Sequence, residues 1–149
     1  MAIRPLLSLV TLGVTDLDRS TRFYQALGWP LSAGSVPGTV SFFCTDGGLL
    51  GLYGNTELAE DSRQEPIPLG PGYRGFSLAI NLGSRDEVDA ALAEAVAAGA
   101  SVLKSPEMAE WGGYSGYFAD PDGHAWEIAH NPGWPFGADG RPVLPAPEE

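Results

Sequence analysis

Glu127 stands out because it is an acid in a strand-like setting, inside the aromatic run WGGYSGYFADPDGHAWEIAH from Trp111 to His130. A carboxylate there can accept a proton, accept a ligand's hydrogen bond or ligate a metal; its ordinary alternative is a solvated strand carboxylate, alone or neutralised by an arginine. Alternation along a strand sends Trp126 and Ile128 to one face, against a helix, and leaves Glu127 and Ala129 on the other. If that face is buried, desolvation is expected to raise the Glu127 pKa and fit it for acid or base work. With Phe118 beside Trp126 in the core, Tyr117 and Ser115 share the face of Glu127. Trp111, Tyr114, Tyr53 and Phe42 are then expected at its rim or walls, a polar-tipped aromatic surface suited to a flat or amphipathic ligand. Core or interface packing is the competing reading for each ring. Asn81 is read as a pocket hydrogen-bonder or a strand-end cap. Arg74 is read as a countercharge to Glu127 or to an anionic ligand, or else as a surface cation.

Other chemistries find less support. Asp16 and Asp18 fit the start of a helix better than catalysis. Cys44, the single cysteine, has no partner for an internal disulfide and is expected in the core. His124 falls in a turn, and His130 falls on the strand face opposite Glu127. No glycine loop suited to phosphate and no Ser-His-Asp set is present.

The elements that must position these residues come in two similar rounds. Leu6 to Val14 reads as a buried strand, and Thr15 or Asp16 caps a helix from Leu17 to Leu27 that Gly28 stops. Leu17, Thr21, Tyr24 and Leu27 form its expected stripe. Short strands follow near Pro30 to Ser32, at Thr39 to Cys44 and at Leu49 to Tyr53. The acidic, proline- and glycine-rich segment 55–74 reads as a surface connection or lid with one helical turn at Glu57 to Asp61. Phe76 to Asn81 then echoes Leu7 to Leu12, and Ser84 with Glu87 makes a capping box for a second helix whose stripe is Val88, Leu92, Ala95 and Val96, closed by Gly99. A strand at Ser101 to Lys104, a break at Pro106 and a hairpin turning at Asp120-Pro121-Asp122-Gly123 complete the round. The chain is thus expected to be a single α+β domain of two βαβββ modules, 6–54 and 75–131, with the connection between them and an irregular tail, 132–149, whose Trp134 and Phe136 dock on the domain.

VTLGVTDLDRSTRFYQALGW followed a module later by YFADPDGHAWEIA resembles the vicinal oxygen chelate superfamily, which includes glyoxalase I, extradiol dioxygenases and bleomycin-binding resistance proteins. The resemblance implies a cupped, mostly antiparallel sheet with helices on its outer face, and a homodimer. In metal-dependent relatives it implies ligands on the first and last strands of each module. Here those positions fall on Leu9, on Phe76 or Leu78, and on Leu49 to Tyr53, none of which offers a donor, so Glu127 alone matches. One carboxylate is a feeble site for Zn²⁺, Fe²⁺ or Ni²⁺; no cofactor is expected, and a divalent metal would need unexpected ligands.

Composition narrows the partners. A formal net charge of -11 repels phosphates, and Lys and Arg form no cluster, which argues against nucleic acid and anionic membrane as partners. No apolar run approaches the roughly 20 residues a spanning helix needs, and the first ten residues lack a leader's pattern, so a cytoplasmic protein is expected. The leading expectation is a metal-independent binder of a small amphipathic or aromatic molecule. The alternatives are a lyase or isomerase, ahead of an oxygenase, using Glu127 as acid or base or in an atypical metal site, and a non-catalytic protein-association domain.

Overall fold

The computed structural model describes residues 3–148, so Met1, Ala2 and Glu149, to which the readings of the amino terminus and the tail extend, lie outside it. Two compact units divide the chain, residues 1–70 and 71–149.

The first unit holds β1 (Leu9–Val14), α1 (Leu17–Ala26), β2 (Val40–Thr45), β3 (Gly48–Gly54) and α2 (Asn55–Asp61). Its three-stranded sheet has the order β1-β3-β2, with β1 parallel and β2 antiparallel to β3. Asp16 caps α1 by accepting from the Arg19 N–H at 3.0 Å, as its position ahead of the apolar run requires. Gly28 follows the helix with a φ of 83°, a left-handed value that costs glycine little. Ser20, Phe23 and Tyr24 form the buried stripe of α1, so Phe23 takes the core place assigned to Leu17 and Leu27. Tyr24 meets Phe43 of β2 at 5.7 Å between ring centroids, above Leu12, Leu50 and Leu52, all buried. The strand expected near Pro30 to Ser32 shrinks to one bridge, Leu31 to Phe43, because the glycines and proline of 33–38 turn the chain away at once. Cys44 is exposed, a correction to its core assignment: Phe43 points into the core, and alternation sends its neighbour outward.

The second unit is a complete βαβββ: β4 (Leu78–Asn81), α3 (Arg85–Ala98), β5 (Ser101–Met108), β6 (Tyr114–Ala119) and β7 (Ala125–His130). The strand order is β4-β7-β6-β5, with β4 parallel to β7 and the other pairs antiparallel. This repeats the first unit's order with Leu31 in the place of β5. The fold is α+β. Ser84 accepts from the Glu87 N–H at 3.2 Å, the expected cap of α3. Val88 and Ala95 are buried while Val96 is 46% exposed, so the stripe of α3 is narrower than its spacing suggested. Phe118 and Trp126 stack at 6.3 Å under the helix.

Pro106 does not end β5. The strand runs on to Met108 because the register slips on both sides of Lys104, and an edge strand with bulges tolerates a residue that donates no hydrogen bond. In the tail, Trp134 and Phe136 are about two-fifths exposed, 40% and 42%, so neither is sunk into a core; Phe136 instead bridges to Pro142 in a local reversal.

Candidate functional site

The face of the second sheet away from α3 carries Glu127, and the pleat decides its neighbours. Ala79 of β4, Glu127 of β7, Tyr117 of β6 and Lys104 of β5 are consecutive cross-strand partners, one row across the whole sheet. Ser115 and Asn81 lie two residues along, each opposite Ala129, and Ala119 faces Ala125. Small side chains therefore surround one phenol and one carboxylate.

Those two groups are joined. The Tyr117 hydroxyl donates to Glu127 Oε2 at 2.5 Å, a short, charge-assisted bond between half-buried side chains. This bond pushes the Tyr117 pKa above its ordinary value; partial burial and the Glu127 charge act in the same direction, while a hydrogen bond with Ser77 opposes them. The pair engages one carboxylate oxygen and leaves Oε1 out of that bond. Lys104 places its ammonium 6.0 Å from the centre of the Tyr117 ring and pairs with Glu107 at 3.6 Å. Neither Lys104 nor Ser77 was singled out in the sequence. The apparent stop at Pro106 hid the extent of β5, and only the register with β6 brings Lys104 to Tyr117.

Tyr114 lies on the α3 side, a correction to its expected place at the rim or walls of the Glu127 face: it alternates with Ser115 and shares a face with Gly116 and Phe118. Its hydroxyl donates to Asp89 Oδ1 of α3 at 2.7 Å, with the Arg85 guanidinium 5.9 Å from the ring centre. That bond to Asp89 is the main cause of a raised Tyr114 pKa. Trp111 is exposed in the β5–β6 turn, where its indole folds over Gly113 in space a Cβ would fill. Arg74 does not meet Glu127. It donates to the Asp122 carbonyl at 2.7 Å and approaches His124 Nδ1 at 3.5 Å, pinning the residues before β4 to the β6–β7 turn. Asp120 organises that turn from within, accepting from the Asp122 and His124 N–H groups at 3.0 and 2.9 Å.

Phe42 and Tyr53 belong to the first unit, on the face of its sheet away from α1. Phe42 pairs with Gly51, and Tyr53 lines a recess of about 700 Å³ where β1 and β3 end. Segment 55–74, expected as a surface connection or lid, supplies Asn55, Thr56, Glu57 and Leu69 to this recess, and no local sequence signal marks that wall.

A metal of the kind the fold family uses finds no matching donor set. Leu9, Phe76 or Leu78, and the whole of β3 offer no Asp, Glu, His or Gln, and among the described residues no three His, Cys, Asp or Glu side chains gather about one point. Glu127, the one donor in place, shares its Oε2 with a phenol. No helix among the described residues is long and apolar enough to cross a membrane.

Comparison with known proteins agrees with this architecture. No curated protein matches the chain. Among solved structures it is similar to a glyoxalase-related enzyme from Fulvimarina pelagi, at 36% identity over 96% of this chain and 100% of that one, with a TM-score of 0.84. It is also similar to a glyoxalase/bleomycin resistance protein/dioxygenase from Nocardioides, at 28% identity over 87% and 85% of the two chains, with a TM-score of 0.72. A lactoylglutathione lyase from Agrobacterium tumefaciens shares the fold at 23% identity over 86% and 95%, with a TM-score of 0.65. Residues 6–128 match the family described as the Glyoxalase/Bleomycin resistance protein/Dioxygenase superfamily, and the chain belongs to that superfamily.

Proposed function

We propose that this protein binds a small amphipathic or aromatic molecule over the row Ala79-Glu127-Tyr117-Lys104, with Glu127 accepting a hydrogen bond from the ligand. The observation that carries this reading is the 2.5 Å bond from Tyr117, which holds the carboxylate in one orientation amid alanine and serine neighbours. A fixed acceptor with small flanking side chains gives a ligand both room and a reason to orient. Binding needs no resident metal, a reading supported by the leucines at the family's ligand positions.

The test is a thermal-shift screen of aromatic amides, alcohols and amines, followed by titration of any hit against Glu127→Gln with and without prior chelation. Loss of one charge-assisted bond weakens binding about tenfold, whereas chelation leaves it unchanged. Hits that bind Glu127→Gln as well as wild type, or that need added metal, overturn the proposal.

The description of the Fulvimarina pelagi relative as a glyoxalase-related enzyme favours one second reading. Glu127 would then take a proton from a carbon next to a carbonyl, with Tyr117 holding the other carboxylate oxygen. Solvent deuterium entering a thiol adduct of a 2-oxoaldehyde with wild type and not with Glu127→Gln is the expected result; equal exchange by both removes this reading.

A further inference from the structure

The recess in the first unit is a second candidate binding site, and none of its lining residues belongs to the row at Glu127. It opens where two parallel strands, β1 and β3, both end and both pass into helices. At about 700 Å³ it is within the range that holds a drug-sized ligand. The walls are built in advance of any ligand. Gly13 lacks a Cβ, which would come within 2.5 Å of Asn55 Oδ1 and 3.2 Å of its Cα, so α2 starts hard against β1. Asn55 then donates through Nδ2 to the Ile67 carbonyl at 2.7 Å, tying down the segment that brings Leu69 to the wall.

The lining has a consistent chemistry. Leu17, Tyr53 and Leu69 supply apolar surface, and Thr39 and Asn55 supply neutral polar groups. Glu57 is the lining's carboxylate, and its side chain folds back over Gly54, occupying space that a Cβ on that residue would take. Among the described residues no Lys, Arg or His lines the recess. The uncapped first turn of α2 offsets part of the Glu57 charge, but with no cationic side chain in the lining an ammonium group meets a full carboxylate beside an apolar, aromatic wall. The chain's net charge of -11 adds long-range attraction of the same sign.

We infer that the recess between the ends of β1 and β3 binds an amphipathic amine, with the ammonium on Glu57 and the hydrocarbon body against Tyr53, Leu17 and Leu69. Glu57 is exposed, so its replacement by glutamine leaves the fold intact and removes only the charge.

The experiment titrates phenethylamine into the full-length protein, following backbone amide resonances and affinity, with phenethyl alcohol and hydrocinnamate as neutral and anionic counterparts. The expected result is saturable binding of the amine with shifts at Thr39, Asn55 and Glu57, weaker binding of the alcohol and none of the anion. Glu57→Gln weakens the amine roughly three- to tenfold as read at those three resonances, in keeping with a partly solvated ion pair, and Glu127→Gln leaves their titration unchanged. The inference fails if the amine does not saturate, if Glu57→Gln binds it as wild type does, or if Glu127→Gln abolishes binding. That last outcome would assign the amine to the second unit's site and leave the reading of that site standing.

Discussion

Tyr117 and Glu127 are direct cross-strand partners, and the phenol of one donates to the carboxylate of the other at 2.5 Å. The bond needs the phenol's proton, which is why the Tyr117 pKa is raised above 10.0. A group whose pKa rises on folding contributes stability that is complete below its unfolded value and is lost as pH climbs through its folded one. Stability should therefore fall above about pH 10 in part through Tyr117. Tyr117→Phe is expected to cost about 1 kcal/mol at neutral pH and to flatten that alkaline fall. Glu127→Gln should bring the phenol's ultraviolet titration back toward its ordinary range. Denaturant melts of wild type and Tyr117→Phe with the same alkaline slope would refute the assignment.

Asp120 governs how β7 leaves the turn, since one buried oxygen accepts two backbone N–H groups, those of Asp122 and His124. Asp120→Ala leaves both donors without that acceptor and should cost about 2 kcal/mol, and Asp120→Asn should cost less because an amide oxygen still accepts. Hydrogen exchange at the two amides checks the cause. Protection unchanged in the alanine variant would mean the turn holds without this carboxylate.

Much of the architecture was legible in short-range signals. Asp16, Ser84, Gly28 and Gly99 mark helix ends through chemistry confined to one turn, and the Asp-Pro-Asp-Gly run marks the β6–β7 reversal. Period-two counting also put Tyr117 with Glu127 and His130 opposite, as observed. The same count sends Tyr114 to the α3 face, where its hydroxyl meets Asp89. What local signals do not carry is pairing between distant segments. Lys104 reaches Tyr117 only through the slipped register of β5, Arg74 finds the turn 48 residues on, and the recess depends on Asn55 reaching Ile67.

Metal addition separates the donor argument from any ligand screen. With leucine at the family's ligand positions, Zn²⁺ or Ni²⁺ at stoichiometric loading is expected to leave the melting temperature of wild type and Glu127→Gln alike unchanged. A specific site would stabilise the wild type alone, since binding to the native state raises its stability in proportion to occupancy. Retained stoichiometric metal, lost with Glu127→Gln, would reverse the reading.

Gly116 offers the sharpest test of how β5 delivers Lys104. A Cβ at this position would sit 2.9 Å from the Lys104 carbonyl oxygen and 3.0 Å from the nitrogen of Pro106, both backbone atoms that cannot swing aside. The slipped stretch of β5 therefore fits only because β6 carries no side chain there. Gly116→Ala should force the two strands apart and cost about 1–3 kcal/mol. Gly34→Ala, where the nearest atom is the Ser32 hydroxyl oxygen at an ordinary 3.4 Å, serves as control and should stay within about 0.5 kcal/mol of wild type. The displacement should also carry Lys104 away from the Tyr117 ring, so amide resonances of Lys104 and Tyr117 are expected to shift in Gly116→Ala and not in Gly34→Ala. A Gly116→Ala variant as stable as the control, with those resonances unmoved, would show that β5 reaches Lys104 without the close approach to Gly116.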